Sequence, residues 1–173
     1  MSQRRFFGLV AGVMEQLSAL VASTGVGDAF KIVATGADGK LDNSLMPNGI
    51  GAQTTIATAS ETLGAGKFVN YFDNAGAFSA RLADNSNGRP ANGYVLTEFT
   101  VGQPAVVYPL DGVNSALTGL VVAGAYYLGT AGGVIATPLD EETEAGTGKI
   151  SQALGIAKSA TELVTDDSPA YVL

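Results

Sequence analysis

Residues 67–82 read Lys67-Phe68-Val69-Asn70-Tyr71-Phe72, then Asp73-Asn74-Ala75-Gly76, then Ala77-Phe78-Ser79-Ala80-Arg81-Leu82. Two runs rich in aromatic and apolar residues flank a cluster of turn formers, the pattern of a β-hairpin. In the second run Phe78, Ala80 and Leu82 alternate with Ala77, Ser79 and Arg81, so the first set is expected to face a core. Downstream, the polar loop 85–90 leads into 93–99, a turn at 100–103 and a return over 105–110, read as a second hairpin. Both of its runs are almost unbroken apolar stretches, which fits burial on two faces and makes one face a candidate subunit interface.

Segments 120–122 and 125–128 lead to a turn at 129–132, with 134–137 as the returning strand. Tyr126 and Tyr127 then point to opposite faces. Segments 149–157 and 170–173 complete the series, and a C-terminus this apolar is expected to dock as a strand. Short strands at short intervals from Ile56 onward predict a mainly β fold, a compact antiparallel β-sandwich or barrel over residues 56–173.

The composition narrows what such a fold can do. The chain has 173 residues, enough to bury a core without disulfides, and it contains no His, Cys or Trp. Without His or Cys, Ser-His-Asp and Cys-His machinery and thiolate zinc sites are excluded, leaving carboxylate, Lys-based or oxygen-ligand metal chemistry. Charged residues are only 14% of the chain, which suits an oligomer or lattice component better than a free monomer. The net charge of −7 with scattered cations argues against a nucleic-acid partner.

Candidate sites reduce to ordinary structure. Asp140, Glu141, Glu142 and Glu144 form the acidic cluster, match no EF-hand spacing and read as a solvated loop between strands; whether it takes a cation stays open. No pair of carboxylates can be nominated for glycoside hydrolysis. The glycine-rich stretches 129–133 and 146–149 lack the strand-to-helix context of phosphate loops and read as turns, as does 111–115. No catalytic, cofactor-binding or metal-binding residue is assigned, and no enzymatic activity is expected.

Residues 1–55 follow a different grammar. Phe6, Val10, Val13, Leu17 and Leu20 are spaced four, three, four, three, the seam pattern of a coiled coil, so an N-terminal helix is expected there. Its apolar face would pack on copies of itself, on a host protein or back on its own β-domain; Gly8 and Gly12 weaken it in isolation. Arg4-Arg5 before an apolar run superficially resembles a secretory signal, but Glu15, Gln16 and Ser18 interrupt it. The run is also about half of the roughly 20 apolar residues a membrane span needs, so no membrane partner is expected. An extended segment at 30–35 and a turn at 37–40 follow, then one helical turn placing Leu41 and Leu45 on a face, capped by Asp42 or Asn43 and stopped by Pro47. Residues 1–55 thus read as helix, extended arm and linker for attachment or oligomerisation, with Phe6, Phe7, Val10, Val13, Leu17, Leu20 and Phe30 as its contact residues.

The string Ile32-Val33-Ala34-Thr35-Gly36-Ala37-Asp38-Gly39-Lys40-Leu41-Asp42-Asn43-Ser44-Leu45-Met46-Pro47 resembles a connector that recurs in tailed-bacteriophage virion proteins. There a segment of the type N/D-G-K-L-D-x-S-L-L/M-P joins an N-terminal attachment part to a β-rich distal part. The C-terminal half resembles phage head decoration or cement proteins over Gly124-Ala125-Tyr126-Tyr127-Leu128-Gly129-Thr130-Ala131-Gly132-Gly133-Val134-Ile135-Ala136-Thr137-Pro138 and Gly155-Ile156-Ala157-Lys158-Ser159-Ala160-Thr161-Glu162-Leu163. The resemblance implies a non-catalytic virion protein at the particle surface, a homotrimer bound to the major capsid protein or another virion protein. It implies a head decoration or cement protein that stabilises the capsid across capsomers, or alternatively a short tail fibre, spike or adaptor in host attachment. It carries over no functional residues.

Overall fold

The computed structural model describes residues 5–10, 12–46, 53–144 and 146–173. The chain divides into two units, Met1–Ala52 and Gln53–Leu173.

In the first unit the expected helix is replaced by a β-hairpin. Strand β1 (Arg5–Val10) pairs antiparallel with β2 (Val13–Ser18), placing Phe6 opposite Leu17 and Val10 opposite Val13. The physical reason is an ambiguity of period. A spacing of four is close to one helical turn, yet it is also even, and even spacings share a face of a strand. The spacing of three from Val10 to Val13 is the step across a two-residue hairpin turn. Gly12 settles the choice with φ +83°, and the aromatic and β-branched Phe6, Phe7 and Val13 favour strands. Beyond the hairpin, Leu20 bridges in parallel to Val33, its N–H donating to the Ile32 carbonyl and its own carbonyl accepting from Ala34. The linker turn forms as expected: Asn43–Leu45 is a 3-10 turn, and the Asp42 carboxylate accepts the Ser44 N–H at 2.9 Å. Pro47 lies outside the described residues.

The second unit holds two five-stranded sheets. Strands β3 (Thr55–Ala59), β4 (Phe68–Asn74), β5 (Ala77–Leu82), β6 (Gly93–Tyr94) and β7 (Pro104–Val107) run in the order β6-β4-β5-β3-β7, antiparallel except for β3 beside β5. Reciprocal hydrogen bonds between Tyr94 and Tyr108, 2.8 and 3.0 Å, link the two edges, so this sheet is a nearly closed barrel. The hairpin of residues 67–82 is there, turning at Ala75 and Gly76, both with positive φ. Ala80 is fully buried and Leu82 packs against the barrel core. Phe78 lies on the same face but past the end of the core, exposed, with its ring tilted against that of Tyr71 at 4.9 Å between centroids. The second expected hairpin is corrected: β7 takes β3 as its partner, and only the Tyr94–Tyr108 bridge joins it to the 93–99 run.

The other sheet is built from β8 (Val113–Asn114), β9 (Ala125–Leu128), β10 (Val134–Ile135), β12 (Ala153–Ala157) and β13 (Leu163–Thr165), in the order β10-β9-β12-β13-β8. A short pair, β11 (Ile150–Ser151) with β14 (Tyr171–Val172), docks the C-terminal strand as expected. Residues 120–122 do not form a strand; Val121 and Val122 are exposed in a turn.

Two cores follow from alternation. Val69, Ala80, Val95 and Val107 fill the barrel, while Phe68 and Tyr94 point the other way and join Tyr126, Leu128, Leu154 and Leu163 against the second sheet. Burial of both Tyr94 and Val95 is the two-faced burial expected of the 93–99 run. Buried amides staple the sheets together. Gln152 accepts the Ala91 N–H at 2.8 Å and donates back to the Ala91 carbonyl at 3.0 Å, and Asn85 donates to the Leu128 carbonyl at 2.9 Å. Gln152→Ala leaves two buried backbone groups unpaired and is expected to cost about 2–4 kcal/mol, read as a lower urea midpoint at unchanged slope.

Candidate interaction surface

In the first unit, polar bonding takes the place of a core. The Asp28 carboxylate accepts from the Thr24 N–H at 2.7 Å, the Thr24 hydroxyl at 3.0 Å and the Lys31 ammonium at 2.6 Å. Lys31, followed by the two Thr24 donors, holds the Asp28 carboxyl well below the usual carboxylate range. A depressed native value means this knot is intact above the ordinary carboxylate pKa and is lost only as pH falls through the lower native one. The Ser23 N–H donates to the Ser44 hydroxyl at 2.8 Å, tying the knot to the linker turn, where Ser44 in turn holds the Asp42 carboxyl low.

No side chain described in this unit is buried. Ten large apolar residues among those described are exposed: Phe7, Val13, Met14, Val21, Val26, Phe30, Ile32, Val33, Leu41 and Met46. Two-stranded hairpins are marginal alone in water, and a segment of this size with no cysteine and no buried side chain among its described residues does not hold itself together by burial. These exposed side chains are therefore a surface awaiting cover.

The seven residues expected to make contacts are distributed as follows. Phe6 and Leu17 are half-buried on one face of the hairpin, where Leu17 leans over Gly8. Val13 is 61% exposed, and Phe7 is 70% exposed on the opposite face. The backbone pairs Val10 with Val13; the Val10 side chain lies outside the described residues. Leu20 is half-buried in its bridge. Phe30 is separate from the hairpin, fully exposed, with φ +65°. For a bulky residue that backbone is strained, and it persists only where neighbours impose it, here the Asp28–Lys31 knot on either side. The hairpin thus brings Phe6, Val13 and Leu17 together, and the turn presents Phe30 alone.

Met14 and Val26 were not among the expected contacts. Met14 falls off the four-three spacing but is 65% exposed, because in a hairpin the second face is open too. An apolar Val26 between two glycines, in a turn too short to bury it, was the available signal. The acidic cluster contains one helical turn, α1 (Glu141–Glu144), with Glu144 paired to Lys149 at 2.7 Å. Among the described residues no group of three or more acidic side chains is placed to hold a metal ion, and no helix is long and apolar enough to cross a membrane.

No protein-family model matches the chain, and no curated protein matches it. Among solved structures it is similar to the N base of head fiber gp8.5 of bacteriophage phi29, at 16% identity and a TM-score of 0.44, over 66% of this chain and 94% of that one. A likeness that low does not establish a shared fold.

Proposed function

We propose that this chain is a structural protein of a tailed-phage particle, and more specifically a trimeric head decoration or cement protein. The first unit engages the major capsid protein or another virion protein, and the β-module of residues 53–173 sits on the particle surface. One observation carries the reading: the first unit exposes ten large apolar side chains and buries none among its described residues, while the module has two complete cores of its own. Such a division suits a part that is finished only when the arm is covered. The connector-like string ending at Pro47, and the decoration-like segments 124–138 and 155–163, point to a phage particle as the place where this happens.

Binding adds buried apolar area across capsomer joints, at about 25 cal/mol per Å2 before association costs. The same connector string favours a second reading, a short tail fibre, spike or adaptor in host attachment. Copy number on intact particles separates the two, because lattice symmetry multiplies every head contact. Hundreds of copies spread over the shell are expected; a few copies at the tail would move the protein there, and absence from particles would end both readings.

A further inference from the structure

The sequence holds three Asn-Gly pairs, at 48–49, 87–88 and 92–93, and the last two lie among the described residues. Such a pair can react with itself, because the glycine amide nitrogen has no Cβ beside it and can reach the side-chain carbonyl carbon of the asparagine before it. Reaction needs a pair that can move and an amide proton that water can reach. The fold treats the two described pairs in opposite ways.

Asn87-Gly88 is the tip of a loop clamped at its base. Asp84 and Arg89 exchange backbone hydrogen bonds of 2.8 and 3.2 Å, and the Asp84 carboxylate accepts the Ser86 N–H at 2.9 Å, the Ser86 hydroxyl at 2.6 Å and the Ala131 N–H at 3.0 Å. The clamp stops at Ser86. Asn87 and Gly88 are both exposed, and among the described residues neither the Asn87 side-chain amide nor the Gly88 N–H has a hydrogen-bond partner. Nothing lies within 4 Å of the place a Cβ on Gly88 would take. Asn92-Gly93 is the same pair under restraint. Asn92 is itself exposed, but its Oδ1 accepts the Tyr71 N–H at 2.9 Å and the Asn70 amide at 3.1 Å, which fixes the side chain. Gly93 is buried in β6, where an added Cβ would overlap the Tyr108 carbonyl oxygen and the Val107 side chain.

We propose that Asn87 is a site of spontaneous deamidation in the folded protein, with water as the co-reactant. Base removes the Gly88 amide proton, the nitrogen bonds to the Asn87 side-chain carbonyl carbon, and the bond from that carbon to the amide nitrogen breaks. Ammonia leaves and a succinimide ring remains. Water then adds to either ring carbonyl and breaks its bond to the ring nitrogen, giving aspartate or isoaspartate with no net oxidation. Either product places a new negative charge on the loop. No enzyme is required, and the chemistry is the same wherever the protein is attached.

The test follows the exchange of NH2 for OH, site by site, by peptide mass spectrometry of the full chain held in mildly alkaline buffer. Cleavage after Lys and Arg leaves residues 82–149 as one peptide, because Pro90 protects Arg89, so its fragmentation reads Asn87 and Asn92 side by side. Asn48 falls in a different peptide, 41–67. In the folded chain Asn87 is expected to convert at least about tenfold faster than Asn92, which reacts only from a locally opened state. In urea the two rates are expected to converge, since the restraint on Asn92 is then gone. Asn87→Gln, at an exposed position without a partner, is expected to leave the unfolding midpoint unchanged and to abolish conversion in the loop, because the longer side chain closes its ring far more slowly. An Asn87 that stays intact in the folded chain while the unfolded chain converts, an Asn92 that keeps pace with it, a difference that persists in urea, or loop conversion that survives Asn87→Gln would each overturn the inference.

Discussion

Gly155→Ala is expected to lower the unfolding free energy of the module by at least about 3 kcal/mol, the sum of a forbidden backbone angle and an overpacked contact. Gly155 sits in β12 with φ +141°, a region L-residues rarely enter, and a Cβ there would overlap the Val164 carbonyl oxygen of the neighbouring strand. The position cannot yield easily. A bulge between Ala153 and Gly155 resets the strand's phase so that Leu154 and Ala157 both point inward, and Tyr126 and Thr165 pair with Gly155 from either side. Relaxing the clash would mean shifting β13 away from β12 or turning Leu154 out of the core. Gly102→Ala is the control: its φ is +83° with nothing within 4 Å of the added Cβ, so only the backbone cost of about 1–2 kcal/mol applies. Urea unfolding of the two variants separates them; equal midpoints would show that Gly155 is not the constrained position the sheet makes it.

That glycine also marks where reading the chain residue by residue stops working. The hairpin of residues 67–82 was legible because its strands, turn and pairing all lie within sixteen residues of chain, and local chemistry at Ala75 and Gly76 fixes the register. The run 105–110 was equally visible as a strand, but its partner was not: Val107 lies opposite Thr55, and periodicity identifies a strand's faces without naming its neighbour. In the arm, the residues expected to share a face do share one, Phe6 with Leu17, although the element is a hairpin and not a helix. The evidence against the helix was present in Gly8, Gly12 and the branched and aromatic residues, and a four-residue spacing satisfies both periods. Phe30 was legible as an apolar residue opening an extended segment. Its strained φ was not, since that depends on Asp28 gathering Thr24 and Lys31 at once.

Deleting residues 1–52 is expected to abolish attachment to particles while leaving the module intact. Both cores lie wholly within 53–173, so the melting temperature should move by no more than about 2 °C, less than 1 kcal/mol would cause in a domain of this size. Attachment should respond very differently. Phe7, Met14 and Phe30 are each exposed, and burying a side chain of that kind contributes about 1.5–3 kcal/mol. Even with half of that offset by ordering the arm, three such contacts amount to about 3 kcal/mol, a loss of roughly a hundredfold or more in affinity when they are removed. Phe30→Ser in the full chain separates specific contact from mere tethering. It removes one exposed ring, touches neither core and relieves a strained backbone only in part, so the fold should be unchanged and binding should fall by about fivefold, the share of one contact in three. Particles lacking the protein, titrated with the full chain, the deletion and Phe30→Ser, supply the readout. Undiminished binding by the deletion would place attachment on the module and leave the exposed apolar side chains of the arm without the role proposed for them.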